Sequence, residues 1–209
     1  FVCCFKLLAD YAGSLHSLQL NSRSMEKILN GELGQMDRRY DQQMTVAEYL
    51  DNISGKTAEL FALSCTVGAL ESGTSEKFAK QCGEIGLNIG IAFQIIDDIL
   101  DYSQPESQIG KPVLEDVRQG VYSLPLLLAM EQNAGAFAPY LDKKAAMTDE
   151  DTQTVYQLVQ EYNGVTKAQK EASRYTQKAL KAIRKLPDDE QNTRELLWRL
   201  TNQILDRQN

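Results

Sequence analysis

The chain has 209 residues, 43% of them hydrophobic, with 22 basic and 29 acidic side chains for a formal net charge of −7. That length is ample for one well-cored domain, and hydrophobicity at this level with 13 Gly and 5 Pro excludes a disordered chain. The acidic balance and single histidine argue against a nucleic-acid surface, which needs a basic stripe, and no apolar run approaches the roughly 20 residues of a membrane span.

In chain order, the apolar residues recur at three and four, the signature of helices, and no alternation long enough for a sheet is present. Residues 5–19 form a first amphipathic helix through Phe5, Leu8, Leu15 and Leu18, and Asn21 or Ser22 caps a second reaching about Tyr40. Thr45-Val46-Ala47-Glu48 is a capping box opening a helix to about Leu70. Gly73-Thr74 breaks the chain and caps a helix from Glu76 to about Tyr102. Residues 103–112, with Pro105, Gly110 and Pro112, read as a loop. Helix resumes near Leu114, Pro125 is expected to break or kink it, Thr148 to Asp151 is a second capping box, Asn163-Gly164 a stop, and Pro187 to Glu190 the start of a last helix. With no Pro-, Gly- or Ser-rich boundary, residues 1–209 read as one all-α domain.

The opening Phe1-Val2-Cys3-Cys4 carries no charged leader, so a soluble, cytoplasmic protein is expected. The four cysteines, at 3, 4, 65 and 82, make neither a disulfide framework nor a CxxC metal pair and read as buried, reduced thiols. His16 lies in a Leu-rich segment and reads as structural.

Three carboxylates stand out in residues 90–102. Asp97 and Asp101 are i and i+4 and share a helix face, Asp98 lies about 100° round, and Gln94 precedes them by one turn. A solvated acidic face is the plain reading, but these residues sit towards the helix C-terminus, where the macrodipole disfavours anions. A hard divalent cation resolves the repulsion, and Mg²⁺ takes carboxylate oxygens while sharing its shell with phosphates. Lys111, between Gly110 and Pro112, and Lys56, with Thr57 on an apolar face, are the candidate phosphate contacts.

These residues carry a resemblance. Gly-x-Ala-Phe-Gln-Ile-x-Asp-Asp-x-Leu-Asp (90–101), followed by Gly-Lys-Pro (110–112), Asp116, Gly120 and Ser-Leu-Pro (123–125), resembles the second aspartate-rich region of the trans-isoprenyl diphosphate synthases. Glu32-Leu33-Gly34-Gln35-x-Asp37 and Tyr49-Leu50-x-x-Ile53-x-x-Lys56-Thr57-Ala58 match in order and spacing, and the Gly-Lys-Pro and Leu-Pro variants are closer to the medium- and long-chain branch. The resemblance implies antiparallel helices around a central cavity. It implies Mg²⁺ on Asp97, Asp98 and Asp101, with Lys56 and Lys111 contacting an allylic diphosphate and Thr57 and Gln94 lining the pocket. The implied reaction condenses that allylic diphosphate with isopentenyl diphosphate in a dimer, homomeric or heteromeric. The family's first Asp-Asp-x-x-Asp is absent from the 209 residues, which therefore read as the C-terminal two-thirds of a synthase, and position 121 is Val where the pattern has Lys. The alternatives are a non-catalytic partner subunit and a helical scaffold with an acidic face. A terpene cyclase fits less well, because its Asn/Ser/Glu pattern is missing.

Overall fold

A computed structural model describes residues 15–102 and 114–205, with Cys3 and Lys6. Among the described residues every regular element is a helix: α1 (Leu15–Asp37), α2 (Val46–Ile53), a π-helical turn (Ser54–Ala58), α3 (Glu59–Glu71), α4 (Glu76–Leu100), α5 (Glu115–Arg118), α6 (Leu124–Leu141), a short 3₁₀ turn (Lys144–Ala146), α7 (Asp149–Glu161), α8 (Gly164–Ile183) and α9 (Thr193–Leu205).

The helix starts follow local chemistry. Both capping boxes form: Thr45 accepts from the Glu48 amide, and Thr148 from that of Asp151, while each acid bonds back to the cap's own N–H. Elsewhere the expectations need correction. No break occurs at residues 19–22, where α1 runs straight through and Asn21, mid-helix, donates to the Ser17 carbonyl one turn back. The α4 cap is Ser75 rather than Thr74. Pro125 sits in the first turn of α6, where its missing N–H leaves no helical bond unmade, so it opens that helix instead of kinking it. The last helix starts at Thr193, because Asp188 and Asp189 fold back to accept from Arg194 and Thr193 amides and form a turn first. Of the cysteines, Cys65 and Cys82 are half-buried free thiols, whereas Cys3 is exposed, and Cys4 lies outside the described residues. His16 is exposed on α1, and most of the first expected helix, 5–19, also lies outside them.

Helix α4 is the axis. Its Gly83, Gly86 and Gly90 meet Thr66, Phe61 and Ala58 in turn, so α3 runs antiparallel to it. On another side Ile85 and Ile89 pack with Ala179 and Ile183 of α8, while Gln160, at the end of α7 just before α8 begins, donates to the Tyr102 carbonyl past the other end of α4, so α8 is antiparallel as well. The core of Ile95, Ile99, Leu124, Leu126, Phe137, Leu141 and Val155 is almost fully buried between α4, α6 and α7. Each such aliphatic side chain contributes roughly 1.5–3 kcal/mol relative to exposure. Helix α1 lies antiparallel to α2 and α3, with Ser24 and Lys27 on Glu59 and Gly31 against Lys56. None of the described helices is long and apolar enough to cross a membrane.

Candidate active site

The π turn sets the site. One extra residue in the helical ladder at Ser54–Ala58 re-aims the side chains that follow, a device common where a helix carries function. Two glycines let neighbouring helices close on it. A Cβ on Gly31 would stand 2.5 Å from the Lys56 amide nitrogen, and one on Gly90 would stand 2.5 Å from the Ala58 Cα. Only bare backbone fits at either crossing.

Lys56 thereby projects towards α1, donating to Gln35 Oε1 at 2.6 Å and pairing with Glu32 Oε2 at 3.1 Å. The next residue, Thr57, faces α4 and donates to Gln94 Oε1 at 2.7 Å; Gln94 Nε2 in turn donates to Asp98 Oδ1 at 2.9 Å. From α2, the phenol of the buried Tyr49 donates to Asp98 Oδ2 at 2.5 Å. Both oxygens of Asp98 are therefore engaged. Burial pushes its carboxyl up to about 7 against the pull of the Tyr49 and Gln94 hydrogen bonds, and the charges of Asp101 and Asp97 add to the rise. Burial, followed by the Asp98 charge, also holds the Tyr49 phenol well above its ordinary range.

Gln35, Tyr49, Lys56, Gln94 and Asp98 line a cleft of about 100 Å³ together with Arg38, Asn52, Asp116 and the loop Gly120–Ser123, while Thr57, expected to line it, joins only through its hydrogen bond to Gln94. Gly120 has φ +82° and lies under the Tyr40 ring, 2.6 Å from where a Cβ would stand, while its carbonyl accepts from the Tyr40 amide at 2.8 Å. Arg38 is held by Glu48 at 2.6 Å and Asp41 at 3.1 Å. Tyr122 is pushed up to about 12 by burial.

Of the residues singled out in the sequence, Lys56, Thr57, Gln94 and Asp98 are brought together. Asp97 and Asp101 are exposed at the end of α4 and do not line the cleft, and Lys111 lies outside the described residues. Tyr49 and Gln35, quoted only as parts of motifs, turn out to be partners of Asp98 and Lys56; an apolar helix face is where a tyrosine is ordinarily read as core. Val121 lines the cleft in place of the expected lysine.

Among the described residues no group of three or more His, Cys, Asp or Glu side chains is gathered so as to hold a metal ion. The donor chemistry nonetheless suits Mg²⁺, which binds through one or two carboxylates, waters and substrate phosphates rather than through an all-protein cage. Asp97 and Asp101 offer hard oxygens one turn apart on the solvent side, and Asp98 keeps a second lone pair on each oxygen.

The model of the polyprenyl synthetase family matches residues 1–162. The chain belongs to that family. It is 33% identical over 189 residues to heptaprenyl diphosphate synthase component 2 of Bacillus subtilis, covering 85% of this chain and 54% of that protein. Its fold is similar to the crystal structure of geranylgeranyl pyrophosphate synthase from Lactobacillus brevis, with TM-score 0.90 and 43% identity over 97% of this chain and 62% of that one. It is also similar to a polyprenyl synthase from Caulobacter crescentus complexed with calcium and isoprenyl diphosphate, with TM-score 0.86 and 30% identity over 98% of this chain and 62% of that one. The chain thus spans between about half and two-thirds of the length of these polyprenyl synthetases. The antiparallel all-α architecture and the family resemblance of the motifs both agree with this membership, and medium- and long-chain synthases are among its relatives.

Proposed function

We propose that the protein is a prenyltransferase that lengthens a trans-polyprenyl diphosphate, condensing an allylic diphosphate with isopentenyl diphosphate. The observation that carries this reading is the hydrogen-bonded chain Thr57–Gln94–Asp98–Tyr49, whose last three members share one cleft with Lys56 in a polyprenyl synthetase.

In this reading Lys56 leaves its Gln35 and Glu32 partners to receive the allylic diphosphate, and Lys111 contacts the same group. The C–O bond to the diphosphate breaks with both electrons on oxygen. The double bond of isopentenyl diphosphate attacks the allylic cation, and loss of a proton yields the chain extended by five carbons. Mg²⁺, held by Asp97, Asp98 and Asp101, would supply positive charge to the leaving diphosphate. Thr57 and Gln94 orient the Asp98 carboxylate, and Tyr49 holds its other oxygen. No protein nucleophile enters. Fixed positive charge facing the departing diphosphate is the dominant catalytic effect.

A dimer acting in the cytoplasm belongs to the same proposal. Leu29, Leu33 and Met36 recur along α1 at 45%, 57% and 57% exposure, an apolar strip suited to a second chain. The name of the Bacillus subtilis relative favours keeping a heterodimer, with this chain as one component, as the second reading.

The test is prenyl transfer by the longest product of the gene containing this chain, with radiolabelled isopentenyl diphosphate and an allylic primer, with and without Mg²⁺. Magnesium-dependent extension, lost on Asp97→Ala, supports the enzyme. Extension that appears only when a second polypeptide is added, and survives Asp97→Ala, supports the partner-subunit reading.

A further inference from the structure

The net charge of −7 conceals a separation of charge. Residues 164–187 contain seven Lys and Arg against one Glu, a net of +6, which leaves −13 on the rest of the chain. Lys167, Lys170, Arg174, Lys178, Lys181 and Lys185 follow one another at three and four residues. On a helix they fall within a strip roughly 80° wide, with Arg184 at its edge, and span about 27 Å. The opposite face of α8 is the buried one, with Ala168, Ala172, Ala179 and Ile183. Lys170, Arg174, Lys178, Lys181, Arg184 and Lys185 are all exposed.

Two ordinary explanations fall short. The helix macrodipole favours cations in the last turn, which accounts for Lys181, Arg184 and Lys185, but it disfavours Lys167 and Lys170 in the first two turns. Ion pairing within the fold accounts for Arg174 alone, which meets Glu171 at 2.6 Å; among the described residues Lys170, Lys178, Lys181, Arg184 and Lys185 pair with no carboxylate. Like charges one turn apart destabilise a helix, and among the described residues a single carboxylate, Glu171, pairs with the strip.

Aromatic rings lie under the strip. Arg174 and Lys178 stand 4.4 Å and 5.0 Å over the Tyr175 ring, and Arg184 stands 5.1 Å over Trp198 of α9. At this end a cleft of about 530 Å³ opens between α8 and α9, lined by Leu180, Lys181, Arg184, Lys185 and Trp198. The buried Trp198 Nε1 has no acceptor among the described residues. Because α8 runs antiparallel to α4, this end lies beside Ile85 and Ile89, about 14–20 Å along α4 from Asp98.

We propose that the α8 strip docks the protein on an anionic lipid surface. A plane of phosphate and carboxylate headgroups meets a helix flank along a line and needs no register. Amphipathic rings beneath the cations suit headgroup depth, and with −13 on the rest of the chain this strip is the face that an anionic surface attracts. The proposal is independent of the prenyltransferase reading, because vesicle binding is measured without turnover.

The experiment is co-sedimentation of the protein with vesicles of phosphatidylcholine containing about 30 mol% phosphatidylserine, compared with phosphatidylcholine alone. At low salt the bound fraction should be at least about tenfold greater on the anionic vesicles and should fall as salt is added. The triple variant Lys170→Glu, Lys178→Glu, Lys185→Glu should lose that binding while its circular dichroism stays helical; if it does not fold, the corresponding triple Gln variant is used. Equal partition on both vesicle types, undiminished binding by the folded variant, or displacement from anionic vesicles by an equal charge of duplex DNA overturns the proposal.

Discussion

Tyr49 and Asp98, 49 residues apart in the chain, share a 2.5 Å hydrogen bond in which the phenol donates to one carboxylate oxygen while Gln94 donates to the other. The helix end that carries Asp98 is thereby tied to α2, and through Gln94 and Thr57 to the π turn that carries Lys56. The carboxylate is half-buried, and the hydration it loses there outweighs what these two donors return, so it is harder to ionise than a free aspartate.

That cost has a sign. In magnesium-free solution Asp98 takes its proton at about 7 in the folded state and near 3.8 when unfolded. Between those values the folded state binds more protons, so this group makes stability fall as pH rises from about 4 to about 7. Thermal unfolding followed from pH 4 to 8 should show Asp98→Asn lacking this decline relative to wild type. Parallel curves for the two proteins would contradict the desolvation of the Asp98 carboxylate.

Tyr49→Phe removes one of the two donors. A loss of about 1–3 kcal/mol in urea unfolding near neutral pH is expected, and the pH at which the decline ends should move upward. An unchanged urea midpoint would mean that water replaces the phenol without penalty.

Gly31 and Gly68 make a contrasting pair. A Cβ on Gly31 meets the Lys56 backbone at 2.5 Å, so Gly31→Ala should destabilise by roughly 1–3 kcal/mol and weaken binding of magnesium pyrophosphate by displacing Lys56. Gly68, exposed within α3, has nothing within 4 Å, so Gly68→Ala should stabilise by about 0.5–1 kcal/mol. Denaturant midpoints and calorimetric titration with pyrophosphate check both.

Lys56→Met keeps the aliphatic stem and removes the charge. Loss of about 1.5–3 kcal/mol of diphosphate binding is expected, with little change in thermal midpoint, since the lysine's present partners Gln35 and Glu32 are both solvent-accessible. Equal affinity of variant and wild type would remove Lys56 from the site.

Thr148→Ala should cost about 1 kcal/mol by uncapping α7. Its box partner Asp151 is held down to about 2, first by Lys143 and then by the Thr148 amide. The folded state binds fewer protons there, so this group's contribution is present above about 4 and lost as pH falls towards 2, the opposite direction to Asp98. Acid unfolding of Asp151→Asn against wild type reads that difference.

What was legible in the sequence follows the range of the forces. The Thr45 and Thr148 boxes are closed by residues three apart, and both form as read. Asn21 fails as a cap because capping competes with helix continuation: packing of Ser17, Ser24 and Gly31 on α3 and the π turn holds α1 straight, and the amide bonds back instead. Tyr49 was hidden because a tyrosine on an apolar face looks the same whether its hydroxyl finds a carboxylate or water. The α8 strip was hidden by averaging, since −7 overall is compatible with +6 on one helix.

The chain by itself determined that it is helical, that Asp97, Asp98 and Asp101 crowd one helix end, and which motifs it shares with the polyprenyl synthetases. Helical periodicity and residue spacing are local, so they survive without knowledge of neighbours. Only the tertiary structure decided that Asp98 turns inward while Asp97 and Asp101 stay in water, and that a π turn aims Lys56 and Thr57. Both depend on how closely α1, the π turn and α4 approach at Gly31, Gly55 and Gly90. That approach is set by backbone meeting backbone across segments about 24 to 32 residues apart, a distance at which no local pattern carries information.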